Sequence, residues 1–298
     1  MIRLPKALLI AAVSLATAGT ALAQDASPPD EPPAAKPPEE PKPAATGVAL
    51  TLGKGKILIA GETVNFNLSS DAVAQPISLA PSVWYGVKEK ITIGLTHDFG
   101  TTPWTPRISL RSFTQDVVIP PAPPTTVTVA AGTGICLTGK DNGCPRFYDN
   151  VGFDLLYGLK QEKLSVAVHP AIDIGSFDPF FLDLRIGVLG TYTVNDKITI
   201  AFDPRLQFGI TERDSGNKEA IDLPVWAWYA VDNKISAYLH TGLRGAFESF
   251  GDNYSIPLVI GGNYKVNEKL KAGLDFGFLR INDGADARAL GLRAVYAL

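Results

Sequence analysis

The sequence predicts an all-β fold, an antiparallel up-and-down barrel of twelve strands, and three observations lead to that prediction. Apolar and polar residues alternate along many segments, as they do in strands with one apolar face. Short polar turns separate these segments, in most cases at a spacing of about 35 residues. A tyrosine precedes the turns at a constant distance, which places the ends of the strands at one level.

The turns form an internal repeat. Each copy has a valine or leucine, then two or three polar residues, then a lysine. The copies are VKEK (87–90), LKQEK (159–163), VNDK (194–197), VDNK (231–234) and VNEK (266–269). A short polar break between two alternating segments is typical of a β-hairpin. The repeat therefore predicts a series of hairpins that all turn at the same end of the sheet.

Five tyrosines mark the strand ends that lead into these turns, and a sixth marks the end of the last strand. They share the pattern Tyr-x-Val/Leu, which recurs at residues 296–298. The two-residue period of a strand puts each tyrosine on the same face as the apolar residues before it. Because a tyrosine ring is apolar and its hydroxyl polar, tyrosines at one level predict an aromatic girdle at a membrane interface. The predicted girdle consists of Tyr85, Tyr157, Tyr192, Tyr229, Tyr264 and Tyr296.

The twelve predicted strands form six pairs. They are 56–68 with 77–87, 90–99 with 150–159, 163–175 with 181–194, 197–211 with 220–231, 234–248 with 254–266, and 269–280 with 287–298. Connections at the tyrosine end are tight and those at the other end are longer, which is the asymmetry of an outer-membrane barrel. An alternative of fourteen strands adds a hairpin from 107–118 and 125–131. Twelve is favoured because that hairpin lacks the tyrosine pattern.

The first 46 residues differ from the rest in composition. Arg3 and Lys6 precede an apolar run at 7–16, and a small-residue cleavage signal ends at residue 23, so residues 1–23 are predicted to be a signal peptide. Residues 24–46 are rich in proline and alanine with mixed charge, which predicts a disordered linker. A docking segment is the alternative. The predicted barrel domain spans 47–298, and it holds no run of about 20 apolar residues.

The two cysteines, Cys136 and Cys144, lie close together in the longest connection. A disulfide is expected there in an exported chain, whereas a metal site would need more ligands nearby. The formal net charge of −3 gives no electrostatic reason to expect a nucleic-acid partner.

The apolar face of the strands is predicted to contact lipid. A soluble barrel would show the same alternation, but the export signal, the level tyrosines and the one-sided long connections favour a transmembrane barrel. The polar face then lines the lumen. The predicted lumen residues are Asp154, Asp173, Asp183, Arg185, Asp203, Arg205, His169, His240, Arg244, Glu248, Lys271, Asp275 and Arg293. Two interpretations stay open: a salt-bridged network that fills the interior, or a polar pore whose charges select small solutes.

An enzymatic function is not predicted. A catalytic site in the membrane would place an outward serine beside an outward histidine, and the outward neighbour of His97 is Phe99. His97 is instead predicted to be an interfacial residue. No cofactor and no metal site are predicted.

Over residues 48–298 the chain resembles Gram-negative outer-membrane β-barrels of the porin-like kind. The segments PSVWYGVKEKITIGLTHD and CLTGKDNGCPRFYDNVGFDLLYGL are similar to those of uncharacterised bacterial barrel proteins. The resemblance implies an outer-membrane location, with the lipid bilayer and the barrel assembly machinery as partners. Barrels of this class commonly end in phenylalanine, where this sequence has Leu298.

Two functions are compatible with that architecture. The first is a passive or weakly selective channel for small polar solutes. The alternative is a structural or adhesive barrel with a closed, salt-bridged interior that works through its long extracellular loop.

Overall fold

A computed structural model describes residues 47–98, 100–108, 111–117, 125–131, 133–144, 146–251, 254–283 and 287–298. The predicted signal peptide (1–23) and linker (24–46) lie outside the described residues. None of the helices in the described ranges has the length and apolar character needed to cross a membrane.

The fold is a closed antiparallel barrel. The last strand pairs with the first, with Leu58 opposite Ala297, so the sheet has no open edge. The strands are β1 (Ile57–Asn67), β2 (Ile77–Leu79), β3 (Ser82–Lys88), β4 (Ile91–Thr96), β5 (Arg111–Val117), β6 (Thr125–Ala131), β7 (Ile135–Cys136), β8 (Val151–Lys160), β9 (Leu164–Phe177), β10 (Phe180–Thr193), β11 (Ile198–Phe202), β12 (Arg205–Gly209), β13 (Ala220–Ala230), β14 (Ile235–Ala246), β15 (Tyr254–Ser255), β16 (Leu258–Lys265), β17 (Leu270–Phe278) and β18 (Arg288–Ala297). In the described connections there are four short 3-10 turns, at Lys140–Asn142, Arg213–Ser215, Phe247–Ser249 and Ile281–Asp283.

Three barrel strands are interrupted, and each interruption contains a proline. Pro81 separates β2 from β3, Pro204 separates β11 from β12, and Pro257 separates β15 from β16. Proline has no N–H to donate to the ladder, so the pairing stops there and resumes after it. Each broken strand counts once in the barrel, which gives the twelve predicted strands and confirms that number. The predictions of one unbroken strand over 77–87, over 197–211 and over 254–266 are wrong because of these prolines.

The hairpin that could have added two strands does not enter the barrel. β5 and β6 pair only with each other, in a separate two-stranded sheet. β7 pairs with β2 beside the barrel wall. The described parts of the long connection from 97 to 150 thus contribute no wall strand, and the fourteen-strand alternative does not occur.

Side-chain capping explains the repeated turns. In the turns at 194–197 and 266–269, the Oδ1 atoms of Asn195 and Asn267 each accept hydrogen bonds from two backbone N–H groups that follow. Asp232 does the same with the N–H groups of Lys234 and Ile235. These donors hold the pKa of the Asp232 carboxyl below its ordinary value. Asn and Asp recur in the turns because their side chains satisfy the tight backbone locally.

One connection at the opposite end is as tight as these turns. β9 and β10 are joined by Asp178 and Pro179 alone. The expectation of longer connections at that end therefore fails for this pair.

Two segments that are not part of the wall lie inside the barrel. The first, residues 47–53, precedes β1 and is called here the amino-terminal segment. Its Leu50 is buried against Trp84, Leu156 and Leu189 of the wall. The Leu52 N–H donates to Thr92 Oγ1 at 2.7 Å. Part of the interior is therefore apolar, which corrects the expectation of a purely polar lumen.

The second is the inner loop, residues 101–108, which belongs to the long connection after β4. Its own turn is closed by the Thr105 N–H, which donates to the Thr102 carbonyl at 3.1 Å. Ile108 packs into a second apolar cluster that includes Trp226 and Tyr238. The long connection was predicted to be an external loop, but these residues fold back into the lumen.

Gly94 is needed for the packing of Trp84 inside the wall. The two residues lie opposite each other on β4 and β3, and a Cβ at position 94 would come within 2.6 Å of the Trp84 ring. Because Trp84 is fully buried, we expect Gly94→Ala to lower the stability by about 1–3 kcal/mol through overpacking. Urea unfolding of the barrel in lipid vesicles would measure this effect.

Gly262→Ala is the matched control for that change. Its Cβ would meet only the Ser236 carbonyl oxygen, at 3.3 Å, on the lipid-facing side of β16. Equal unfolding midpoints for the two variants would contradict the packing assigned to Gly94.

Candidate functional site

A chain of buried charges runs along the inner wall, centred on His169. Its Nε2 lies 2.9 Å from Asp154 Oδ1 and its Nδ1 lies 3.1 Å from Asp203 Oδ2. All three side chains are fully buried. Thr96 donates its hydroxyl to Asp154 Oδ2 at 2.6 Å. Alternation along β4, β8 and β9 points Thr96, Asp154 and His169 inward, and Asp203 reaches them from the break between β11 and β12.

Arg185 on β10 continues the chain. Its Nη2 donates to Asp173 Oδ1 at 2.9 Å and to Asp154 Oδ1 at 3.2 Å. Its Nε donates to the other Asp173 oxygen. Asp183 is also buried and lies two residues before Arg185 on the same strand. Both carboxylates thus accept hydrogen bonds from one guanidinium.

Arg205 connects this network to the inner loop. Its Nε lies 3.6 Å from Asp203 Oδ2, and its Nη2 lies 3.2 Å from Asp222 Oδ2. Arg107 of the inner loop donates its Nη1 to the same Asp222 oxygen at 2.6 Å. The Asp203 and Arg205 side chains thus lie within the packed interior rather than along an open path.

A second, smaller cluster lies on the opposite wall. Asp275 Oδ1 accepts hydrogen bonds from the Tyr238 hydroxyl at 2.6 Å and from Arg293 Nη2 at 2.9 Å. The same Arg293 nitrogen donates to Asn263 Oδ1 at 3.1 Å. Its guanidinium also lies 5.3 Å from the centre of the Tyr238 ring.

Aromatic rings hold the inner loop between the two clusters. His240 stacks on Trp226 with ring centres 4.4 Å apart. The Trp226 indole N–H donates to the Pro106 carbonyl at 2.9 Å. The Arg107 guanidinium lies 5.3 Å from the centre of the same indole ring. Trp226 thereby contacts both the backbone and a side chain of the inner loop.

Charged side chains line two of the spaces between the described residues. The smaller, about 20 Å³, lies at the loop end and is lined by Arg185, Arg205, Arg244 and Asp222, among others. The larger, called here the turn-end cavity, has a volume of about 340 Å³. Its lining includes Lys56, Lys271, Arg293, Asn263, Trp104 and Trp228. Predicted lumen residues thus line both spaces: Arg185, Arg205 and Arg244 line the first, and Lys271 and Arg293 the second.

Glu248 does not lie in the lumen. β14 ends at Ala246, and the following 3-10 turn takes Glu248 to the outer rim, where it forms an ion pair with Lys218. Its side chain is 63% exposed. Alternation was extended two residues too far, because the sequence carries no signal for the end of this strand.

The outer surface is an apolar belt bounded by aromatic rings. Large apolar side chains such as Ile93, Ile186 and Ile260 point outward along the wall. The six tyrosines at the turn end are between 39% and 48% exposed. A closed barrel with its charges inside and its apolar side chains outside is matched to lipid. The molecule has the architecture of an outer-membrane β-barrel. Its short turns then face the periplasm.

Comparison with family models gave no match, and comparison with curated proteins gave none. Several solved structures are similar in fold. They include the KdgM porin in complex with disordered oligogalacturonate (10% identity, TM-score 0.49, covering 80% of this chain and 98% of that chain), the NanC porin (8%, 0.49, 80% and 98%) and an outer membrane channel from Pseudomonas putida F1 (10%, 0.45, 87% and 100%). At such identities these similarities carry no function over to this chain.

The loop end holds a disulfide and a buried histidine. Cys136 and Cys144 are bonded, as the sequence predicts. His97 was predicted to be an outward interfacial residue, which is wrong: it is buried, and its Nε2 lies 2.9 Å from the Tyr148 hydroxyl. It lies just after β4 ends, so the alternation of the strand no longer decides its direction.

Sequence reasoning missed the inner loop and the amino-terminal segment. Trp104, Arg107 and Ile108 lie in a connection, where no periodicity assigns a face. A signal was present in the amino-terminal segment, where Val48, Leu50 and Leu52 alternate ahead of the first strand. That alternation indicates a buried face before β1 begins.

Proposed function

We propose that this protein is a narrow outer-membrane channel for small polar solutes. The observation that carries the proposal is the width of the lumen. An eight-stranded barrel is filled by its own side chains. Here two additional segments enter the lumen, and a cavity of about 340 Å³ still remains. A barrel with a purely structural function would need no lumen of this width.

The lysines of the turn-end cavity favour weak selectivity for anions. Within the described residues, Lys56 and Lys271 line that cavity without an ion-pair partner. The arginines that line the two spaces and belong to buried ion pairs are neutralised by their carboxylate partners and contribute little to the field along a path; they are Arg185, Arg205 and Arg293. An excess of cations at one end of the lumen raises the local concentration of anions.

The amino-terminal segment is expected to restrict the current. Leu50→Asp places a charge in the apolar contact with Trp84, which expels the segment from the lumen. We therefore expect the ion conductance of single channels in planar bilayers to rise several-fold. In a salt gradient, the reversal potential of the channel should shift toward the equilibrium potential of the anion.

Leu137→Asp is the matched control, because Leu137 is exposed in the loop that bears the disulfide. It should leave the conductance unchanged. If correctly folded wild type and both variants all give no current above background, the channel proposal is wrong and the barrel has a closed, structural interior.

A further inference from the structure

The turn-end cavity has the size and lining of a binding site. Its volume of about 340 Å³ falls within the range of small-molecule sites, and it opens toward the turn end of the barrel. We propose that it binds a small aromatic carboxylate, a flat apolar ring that bears one negative charge. The proposal deepens the channel function, on which it rests, by naming the class of solute.

Two lysines supply positive charge that the wall does not neutralise. Lys56 lies just before β1 and Lys271 near the start of β17, and both line the cavity. Within the part of the chain that the structure describes, neither has an ion-pair partner. Glu89 lies at the same end of the barrel, where its Oε1 accepts a hydrogen bond from the Lys54 N–H at 3.3 Å. An anion in the cavity would gain from both ammonium groups.

Arg293 also lines the cavity, where its Nη2 is held by Asp275 and Asn263. Its side chain is only 3% exposed and its Nε is fully buried, so it offers no free donor to a ligand. The carboxylate therefore depends on the two ammonium groups, since hydrogen bonds between charged groups are the stronger kind.

Two indole rings define the apolar part of the ligand. Trp228 reaches the cavity from β13, and Trp104 reaches it from the inner loop. Leu58 and Val295 of the wall add aliphatic surface. Flat aromatic groups pack well against indole rings, with a gain beyond the area they bury.

The cationic side chains and the indole rings together restrict the class of ligand that fits the cavity. The cations alone would accept any small anion, and the indoles alone would accept a neutral ring. A ligand with both features uses the whole lining. Because Trp104 belongs to the inner loop, such a ligand would also contact the segment that narrows the lumen.

Benzoate is a suitable probe, with three compounds that each change one feature. Acetate keeps the charge without the ring, benzyl alcohol keeps the ring without the charge, and benzylamine reverses the charge. Binding to the full chain in lipid nanodiscs is measured by isothermal titration, with empty nanodiscs subtracted. We expect benzoate to bind roughly ten-fold more tightly than each of the others, the effect of one charge-assisted hydrogen bond or one ring contact.

Lys271→Gln should weaken benzoate binding several-fold, and Trp228→Leu should reduce the preference for benzoate over acetate. Lys269→Gln is the matched control, because Lys269 lies in the adjacent turn and does not line the cavity. Equal affinity for benzoate and benzyl alcohol, or equal losses in both lysine variants, would overturn the proposal. Because binding is measured without current, a barrel that binds benzoate but does not conduct would refute only the channel function.

Discussion

Replacing Asp154 with alanine should lower the free energy of unfolding by about 3–5 kcal/mol. Asp154 accepts hydrogen bonds or ion pairs from Thr96, His169 and Arg185, and it is fully buried. Its removal leaves the Thr96 hydroxyl and the His169 Nε2 without this acceptor and Arg185 with one carboxylate fewer. Buried polar groups that lose their partner keep the desolvation cost without the compensating interaction. Urea unfolding in lipid vesicles would measure the change.

Glu248→Ala is the control for that experiment. The ion pair of Glu248 with Lys218 is exposed at the rim, so its loss should cost less than about 1 kcal/mol. A double-mutant cycle between Asp154 and His169 tests the network independently of the total loss of stability in either single variant. We expect a coupling of about 0.5–3 kcal/mol for residues in direct contact. Strictly additive losses would contradict the network.

Most of the wall was predictable because strands and turns leave local signals. The period of two places Asp154, His169, Asp173 and Arg185 on one face without knowledge of their partners. The side chains of Asn195, Asp232 and Asn267 cap their own turns, so those residues identify the turns from sequence. These features depend on neighbours along the chain.

The contents of the lumen could not be predicted in the same way. Asp222 contacts Arg107 across 115 positions in sequence, and nothing near either residue indicates the other. Trp104 and Trp228 reach one cavity only because a connection folds back through the barrel. Alternation assigns a residue to a face, but it does not say which other segment occupies the space that the face encloses.

The position of Asp203 and Arg205 decides between the two interpretations of the lumen charges for this part of the wall. Both side chains are buried in ion pairs that fill the interior, and Arg205 shares Asp222 with Arg107 of the inner loop. In this part of the wall, the charged side chains hold the inner loop in the lumen. The restriction of the lumen then depends on how firmly the inner loop is attached to the wall. Mutations can weaken that attachment without removing the wall network.

The double variant Arg107→Leu with Trp226→Phe should therefore produce the largest rise in conductance, several-fold above wild type. The first change removes the ion pair with Asp222, and the second removes the indole N–H that donates to the Pro106 carbonyl. Asp222 keeps Arg205 as a partner, and phenylalanine keeps an aromatic ring next to His240, so the barrel should still fold. Single-channel recording in planar bilayers would measure the conductance.

Arg213→Leu is the appropriate control, because Arg213 pairs with Glu219 at the exposed loop end and does not contact the inner loop in the described structure. It should leave the conductance at the wild-type value. If the double variant folds but conducts no more than this control, the inner loop does not limit the current. The restriction would then lie at the amino-terminal segment, where Leu50→Asp tests it separately. A several-fold rise in both variants would show that the two segments block parallel parts of the lumen, because two restrictions in series would each leave the other to limit the current.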